Sequence, residues 1–320
     1  MAEPPIAGTA SQTRWLVSFA RTTFREYFRH RQWNVGLVRA PIHRFLEKGF
    51  HPQVQWIRVP SREEYLADPF GIVRDGHLSV LCEKYDRRTK KGTLVAFDWP
   101  DRGSQPAAEI AFSIESHASY PFLFEDGGRV FCVPETFGAD EIQLYEAASF
   151  PRGWTKVATL VKGFPGVDTC VFRFEDRWWM CGTHADAPDR RLFLWYADQF
   201  EGPWSPHPKN PVKDDLASAR PAGTPFVWQG ILYRPAQDCS LTYGGRITIN
   251  AVERLTPDDF AERVAAVVEP DPHGPYPLGL HTMSAVGDLT LIDGFRNVFS
   301  WSAFRERLAT GFGKRLLRRG

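Results

Sequence analysis

Asp68 and Glu83 are the first residues in the chain whose types and spacing suggest chemistry. Asp68 opens an apolar run to Val73, Asp75-Gly76 supplies a turn, and a second apolar run from Leu78 to Cys82 ends on Glu83. A strand, a tight turn and a returning strand carry both carboxylates to one rim of a hairpin. Tyr120 and Glu135 repeat the arrangement 52 residues later without a gap. Asp168 opens a third unit that turns at Glu175-Asp176 and returns through Trp178 to His184, and a fourth starts near Thr224, turns at Gly230 and returns to Gln237 and Asp238. Carboxylates gathered at one place repel one another, and an apolar wall raises the proton affinity of some of them. One protonated and one ionised acid is what cleavage of a glycosidic bond requires.

The elements that must position these residues follow from the repeat. Its period is roughly fifty residues, and each unit adds a third β-rich segment: 93–97, 142–147, 192–197 and 247–252. Three or four strands per unit specify propeller blades, whose first strands line a central channel. A fifth, shorter unit runs from His281 to Asp293-Gly294 and lacks a strand, which Trp33 to Val38 is placed to donate. We therefore expect an all-β fold: a five-bladed β-propeller over residues 33–299, closed by its N-terminal strand and leaving no free sheet edge. Residues 1–32 read as a tail and an amphipathic helix rich in Trp, Phe and Arg, and residues 300–320 as a basic amphipathic tail, so helices are expected to flank the propeller.

In that fold Asp68, Glu83, Tyr120, Glu135, Asp168, His184, Arg220, Gln237, Asp238 and His281 converge on one mouth of the channel, with His117 nearby. Asp68, Glu135 and Asp168 are the catalytic candidates, and the others are expected to hold substrate, with Tyr120, Trp178 and Trp179 stacking on sugar faces. Each has a plainer reading. Asp68 before Pro69 suits a turn, Glu83 and Glu135 suit ion pairs inside a blade, and Arg220 suits a bridge between blades.

Composition narrows the partners. Lys plus Arg number 39 and Asp plus Glu 38, so no basic field draws the chain to nucleic acid. Five cysteines, odd in number and without a Cys-x-x-Cys pair, read as buried thiols of a reducing cytosol. No run of 18 apolar residues and no secretory leader is evident, so we expect a cytoplasmic protein whose basic ends offer an anionic membrane surface a point of attachment. His117, His184 and His281 lack metal-ligand spacing, and no phosphate-binding glycine loop or Gly-x-Ser-x-Gly elbow occurs, so neither metal nor cofactor is expected.

Ala67-Asp68-Pro69-Phe70, Ser119-Tyr120-Pro121-Phe122, Pro134-Glu135-Thr136, Leu144-Tyr145, Phe150-Pro151-x-x-Trp154, Gly279-Leu280-His281-Thr282 and Ile292-Asp293-Gly294 form a set. Over about Trp33 to Phe299 it resembles the N-terminal domain of plant glucosamine inositolphosphorylceramide transferases and its stand-alone bacterial relatives. The resemblance implies that in the plant enzymes glycosyl transfer belongs to a separate C-terminal domain, for which we expect no counterpart here. The resemblance implies a five-bladed propeller similar to glycoside hydrolases of the arabinanase and levansucrase type, with Asp68 as base and Asp168 as the acid that tunes proton affinities. Those hydrolases place an acid Glu near the start of a further blade, where this chain has Arg220 and Thr224. Glu135 or Glu83 must then substitute, or hydrolysis is lost. The expected function is a carbohydrate-active, glycoside hydrolase-like propeller acting on a glycan or glycoconjugate. The alternative is a non-catalytic sugar-binding or membrane-associated propeller.

Overall fold

Short β-rich runs punctuated by Asp, Gly and Asn pair with their neighbours in sequence, and the resulting antiparallel sheets are arranged as five blades. The computed structural model describes residues 29–299 except 60, 101–105, 113 and 115. Strands β1 (Arg29–Val38) and β2 (Val54–Trp56) come first. Blade one holds β3 (Glu64–Arg74), β4 (His77–Asp86), β5 (Lys91–Asp98) and β6 (Glu109–Phe112), and blade two holds β7 (Ser119–Asp126), β8 (Arg129–Glu135), β9 (Glu141–Ser149) and β10 (Arg152–Lys162). Blade three has β11 (Gly166–Phe174), β12 (Arg177–His184) and β13 (Arg191–Ala197), with β14 (Ser205–Pro206) and β15 (Lys213–Asp214) both pairing β13. Blade four holds β16 (Phe226–Trp228), β17 (Ile231–Asp238), β18 (Arg246–Leu255) and β19 (Phe260–Val268).

The fifth blade closes the ring. β20 (Met283–Val286) and β21 (Leu289–Phe299) are joined by β1 and β2 in the order β2-β1-β21-β20. The N-terminal strand supplies the missing partner, as its apolar run predicts. Trp33–Arg296 forms one compact unit. At the tips of the inner hairpins, Asp75-Gly76 and Gln229-Gly230 both have positive φ at each central residue, the backbone of a type I′ turn whose twist matches the strands it joins. Phe70, Phe122 and Phe131 are no more than 1% exposed, and burying each contributes about 2–3 kcal/mol.

One sequence expectation is corrected. Arg29 to Arg31, read as the end of a helix, lie in β1, because pairing in the closing blade outweighs a weak helical preference. The remainder of the two expected flanking helices lies outside the described residues. Among those described, the helical pieces are two 3-10 turns, Ile42–Leu46 and Phe137–Ala139.

Candidate functional site in the central channel

The inner strands of blades one, two and three share one irregularity. Between the paired positions Ala67/Glu83 and Phe70/Leu81 the register slips, and the same slip separates Ser119/Glu135 from Phe122/Val133 and Val167/Thr183 from Cys170/Cys181. Each is a bulge, two residues on the inner strand facing one on its partner. Its first residue is left-handed: Asp68 at φ 52, Tyr120 at φ 42 and Asp168 at φ 49. Non-glycine residues rarely adopt this conformation, and Asp tolerates it better than a bulky Tyr. The bulge swings the backbone N–H out of the ladder and lets it serve the channel.

Those freed N–H groups link the blades through carboxylates. Asp68 donates to Asp293 Oδ2 of blade five (3.2 Å), Tyr120 to Asp68 Oδ2 of blade one (3.4 Å), and Asp168 to Glu135 Oε2 of blade two (3.1 Å). Blade four contributes side chains: Arg220 Nε (2.6 Å) and Gln237 Nε2 (2.8 Å) both donate to Asp168 Oδ2. Thr282 Oγ1 of blade five donates to Asp68 Oδ1 at 2.7 Å. Asp68, Glu135, Asp168 and Asp293 therefore each tie their own blade to a neighbour. Asp68, Glu83, Glu135 and Asp168 are each less than a tenth exposed, and Asp293 is fully buried.

Burial drives Asp68 up to about 6, with Asp168 and Asp293 adding to the push and the His281 cation and the Thr282 hydrogen bond opposing it. Glu83 is driven well above the carboxylate range, first by burial and then by Asp68, Glu135, Asp168 and Asp293. Glu135 is raised likewise, by burial and then by Asp168, against a partly compensating Arg220. His281 is held above its ordinary value although burial opposes the charge, because Asp293 and Asp68 flank it. Its Nδ1 lies 2.5 Å from Asp293 Oδ2 and its Nε2 3.8 Å from Asp68 Oδ1, while Trp33 stacks on the ring at 3.8 Å. An indole face against an imidazolium favours the charged form.

Atoms of Asp68, His281 and Asp293 lie within 4.8 Å of one another, which is the one group of possible cation ligands among the described residues. The backbone N–H groups of His281 and Thr282 donate to Asp293 Oδ1, and that of Asp68 to Oδ2. With His281 Nδ1 2.5 Å from Asp293 Oδ2, both oxygens of Asp293 are already engaged, which leaves that carboxylate little to offer a metal ion.

The structure brings together Asp68, Glu83, Glu135, Asp168, Arg220, Gln237 and His281, and sets His117 beside Glu83 with Nε2 3.7 Å away. Tyr120 is present but does not offer its ring to a sugar. It is fully buried, and its hydroxyl reaches blade four to accept the Gly223 N–H at 2.6 Å. Trp178 and Trp179 sit in the apolar core, where Trp178 packs on Phe124 and Phe200, instead of on the channel wall. Asp238 is engaged by Arg246 at 2.7 Å, and His184 sits against Phe164 and Asp186. Neither makes a contact with the acid ring.

Asp293, Thr282, Trp33 and Tyr243 belong to the site and were missed. Asp293 N–H bonds to Thr282 O, so Asp293 stands in blade five where Glu83 and Glu135 stand in blades one and two. Carrying the repeat alignment into the fifth unit finds it, but Asp293-Gly294 looks like a turn and hides it. Tyr243, under the guanidinium of Arg220 at 4.8 Å, left no signal, since it comes from a loop outside the repeat pattern.

Five antiparallel blades around a ring of buried acids define a five-bladed β-propeller. Solved structures agree at the level of fold. A family 117 glycoside hydrolase from Zobellia galactanivorans superposes with a TM-score of 0.53 over 87% of this chain and 92% of that one, at 15% identity. The α-L-arabinofuranosidase PaAbf62A from Podospora anserina gives 0.53 over 75% and 93%, at 11% identity. The family model described as glucosamine inositolphosphorylceramide transferase 1, N-terminal, matches residues 54–273, and the chain belongs to that family. Glucosamine inositolphosphorylceramide transferase 1 from Oryza sativa subsp. japonica is 32% identical over 205 residues, and that from Arabidopsis thaliana 32% over 206. Each match takes in 62% of this chain and 27% of the relative.

Proposed function

We propose that the channel binds a glycan or glycoconjugate and cleaves it by paired carboxylates. The observation that carries this reading is the split in proton affinity around the ring. Asp68, near 6, is largely ionised at neutral pH, whereas Glu135 and Glu83 are driven well above the carboxylate range. That is the division between a base or nucleophile and a general acid. Asp68 takes the first role and Glu135 the second, with Asp168 holding the Glu135 carboxylate through its N–H and stabilised in turn by Arg220. His281, anchored by Asp293, supplies positive charge beside Asp68 and keeps it from becoming a stronger base.

A second reading has its own support. The hydrogen bonds that tie the acids to neighbouring blades, together with their burial, favour a closed binding site in which the carboxylates are architectural and a sugar is held without being cleaved. A glycan and glycolipid panel on wild type and Asp68→Asn, with product analysis of each hit, separates the two. Turnover in wild type with loss of about a thousandfold or more in the variant supports catalysis. Binding without turnover in wild type supports the second reading, and no binding to any sugar refutes both.

A further inference from the structure

The loop between β17 and β18 carries Tyr243 to the acid ring. The Arg220 guanidinium of blade four lies over the Tyr243 ring at 4.8 Å. His281 of blade five stands edge-on to it at 5.3 Å, and Trp33 of the closing strand at 6.3 Å. Burial holds the Tyr243 phenol well above its ordinary value. Arg220 opposes this, while Asp68 of blade one, Asp168 of blade three and Glu135 of blade two add to it. One loop side chain thus meets charged groups of all five blades, which places it near the axis of the ring. Asp68, Glu135, Asp168 and His281 are each less than a tenth exposed, whereas Tyr243 is only partly buried. It therefore lies on the solvent side of them.

The backbone of the loop is shaped to sit low. Gly244 has φ 63, and a Cβ there would stand 2.7 Å from Trp33 Cη2 and 3.1 Å from His281 Cβ, so glycine alone lets the chain press on those two residues. A Cβ at Gly279 would stand 2.1 Å from Gly244 O, so the loop carbonyl seats where Gly279 leaves room. The same segment is shaped to move as a unit. Its start is fixed, with Cys239 N–H donating to Leu216 O at 2.8 Å, and Gly245 N–H closes a turn on Thr242 O at 3.2 Å. Leu241 at the apex is 92% exposed and adds no packing against the blade. The adjacent Gly244 and Gly245 stand at the junction with β18, where a hinge is needed.

We propose that residues 240–245 form a lid on the acid ring, with Tyr243 as its plug, and that a ligand reaches Asp68 and Glu135 only when this segment swings out about Gly244-Gly245. The closed lid accounts for acids that are buried and yet gathered where a binding site needs access. Opening also uncovers the face of Arg220 that Tyr243 occupies, so one motion frees a cation together with the acids. The lid belongs to the fold, and its existence depends neither on the identity of the ligand nor on whether the ligand is cleaved.

The test labels carboxyl groups of the full chain with glycine ethyl ester and a water-soluble carbodiimide, and mass spectrometry of proteolytic peptides reads the rate at each acid. In wild type Asp68 and Glu135 are expected to label at least about tenfold more slowly than the exposed Asp186 and Asp198, at a rate that low urea leaves unchanged. A local opening exposes little surface, whereas global unfolding depends steeply on urea. Tyr243→Ala should raise the Asp68 and Glu135 rates by about tenfold or more with the exposed acids unchanged, and Gly244→Ala, which cannot seat on Trp33, should do the same. Tyr243→Phe keeps the ring and should stay within about threefold of wild type. Wild-type rates equal to those of the exposed acids show an open ring, and rates that climb with urea in step with global unfolding show that the loop does not open by itself. Either result overturns the lid, as does a Tyr243→Ala rate no faster than that of Tyr243→Phe. If Tyr243→Ala also lowers the urea midpoint, the urea dependence of the wild-type rate decides.

Discussion

Asp68 illustrates what a single residue carries in this protein. Both its oxygens and its N–H are used between blades, yet it bears a charge that burial disfavours, so it is both a fastening and a reactive group. Its rise from 3.8 to about 6 corresponds to roughly 3 kcal/mol lost at neutral pH relative to an acid of ordinary affinity. Glu83 has the same liability with no hydrogen bond from the rest of the described chain. Glu83→Gln is therefore expected to stabilise the fold by about 1 kcal/mol, read as a higher urea midpoint at unchanged slope. A lower midpoint would mean that the Glu83 carboxyl is matched by a partner in the free protein. Trading stability for an acid-rich channel is what a functional site would show.

Among the elements, the bulged inner strand is the recurring device, and blade four is its exception. There the left-handed position is Gly223, at φ 117, whose N–H meets the Tyr120 hydroxyl of blade two. A Cβ at Gly223 would stand 1.8 Å from Met283 O, where the inner edges of blades four and five touch. Gly223→Ala is expected to destabilise by about 3 kcal/mol or more, since both the contact and the φ are unfavourable and backbone cannot step aside. Tyr120→Phe tests the other end of the same link. It leaves the Gly223 N–H without its acceptor and should cost about 1–3 kcal/mol in chemical denaturation, while an unchanged midpoint would show that this bond is dispensable.

For the whole molecule, closure and pH are the two handles. β1 fills the last sheet, so a chain begun after Val38 leaves β21 with an open edge. Such a chain should aggregate in size-exclusion chromatography, and adding residues 29–38 as a separate peptide should restore a monomer-sized species. The ring of acids sets the pH response. Asp68, Glu83 and Glu135 have folded affinities above their unfolded ones, so the folded state binds more protons and stability falls as pH rises through the folded values. His281, also raised, contributes stability below its unfolded value that is lost at higher pH, the same sign. Surface acids such as Asp259, lowered to about 2 by Lys209 and Arg254, act oppositely but only below about pH 4. The urea midpoint is therefore expected to be higher at pH 5.5 than at pH 7.5, and the reverse order would contradict the buried-acid description.

Local periodicity was enough to predict five blades, their inner hairpins and the donation of the Trp33 to Val38 strand, because strand alternation and turn dipeptides act over a few residues and repeat. The same alignment placed Asp68, Glu83, Glu135 and Asp168 on one rim. It misassigned Tyr120, Trp178 and Trp179, since an aromatic side chain in a strand reads alike whether it faces a ligand, another blade's backbone or the core between blades. It also passed over Asp293, whose Gly294 neighbour suggests a turn, and Tyr243, which stands in no repeat. Which acids face each other, which cation each one keeps and which is left without one are decided by contacts between blades about 50 to 225 residues apart. Only closing the ring brings those charges into a shared low-dielectric channel, and it is there that Asp68 and Glu83 stop being two acids on one hairpin and become different kinds of group.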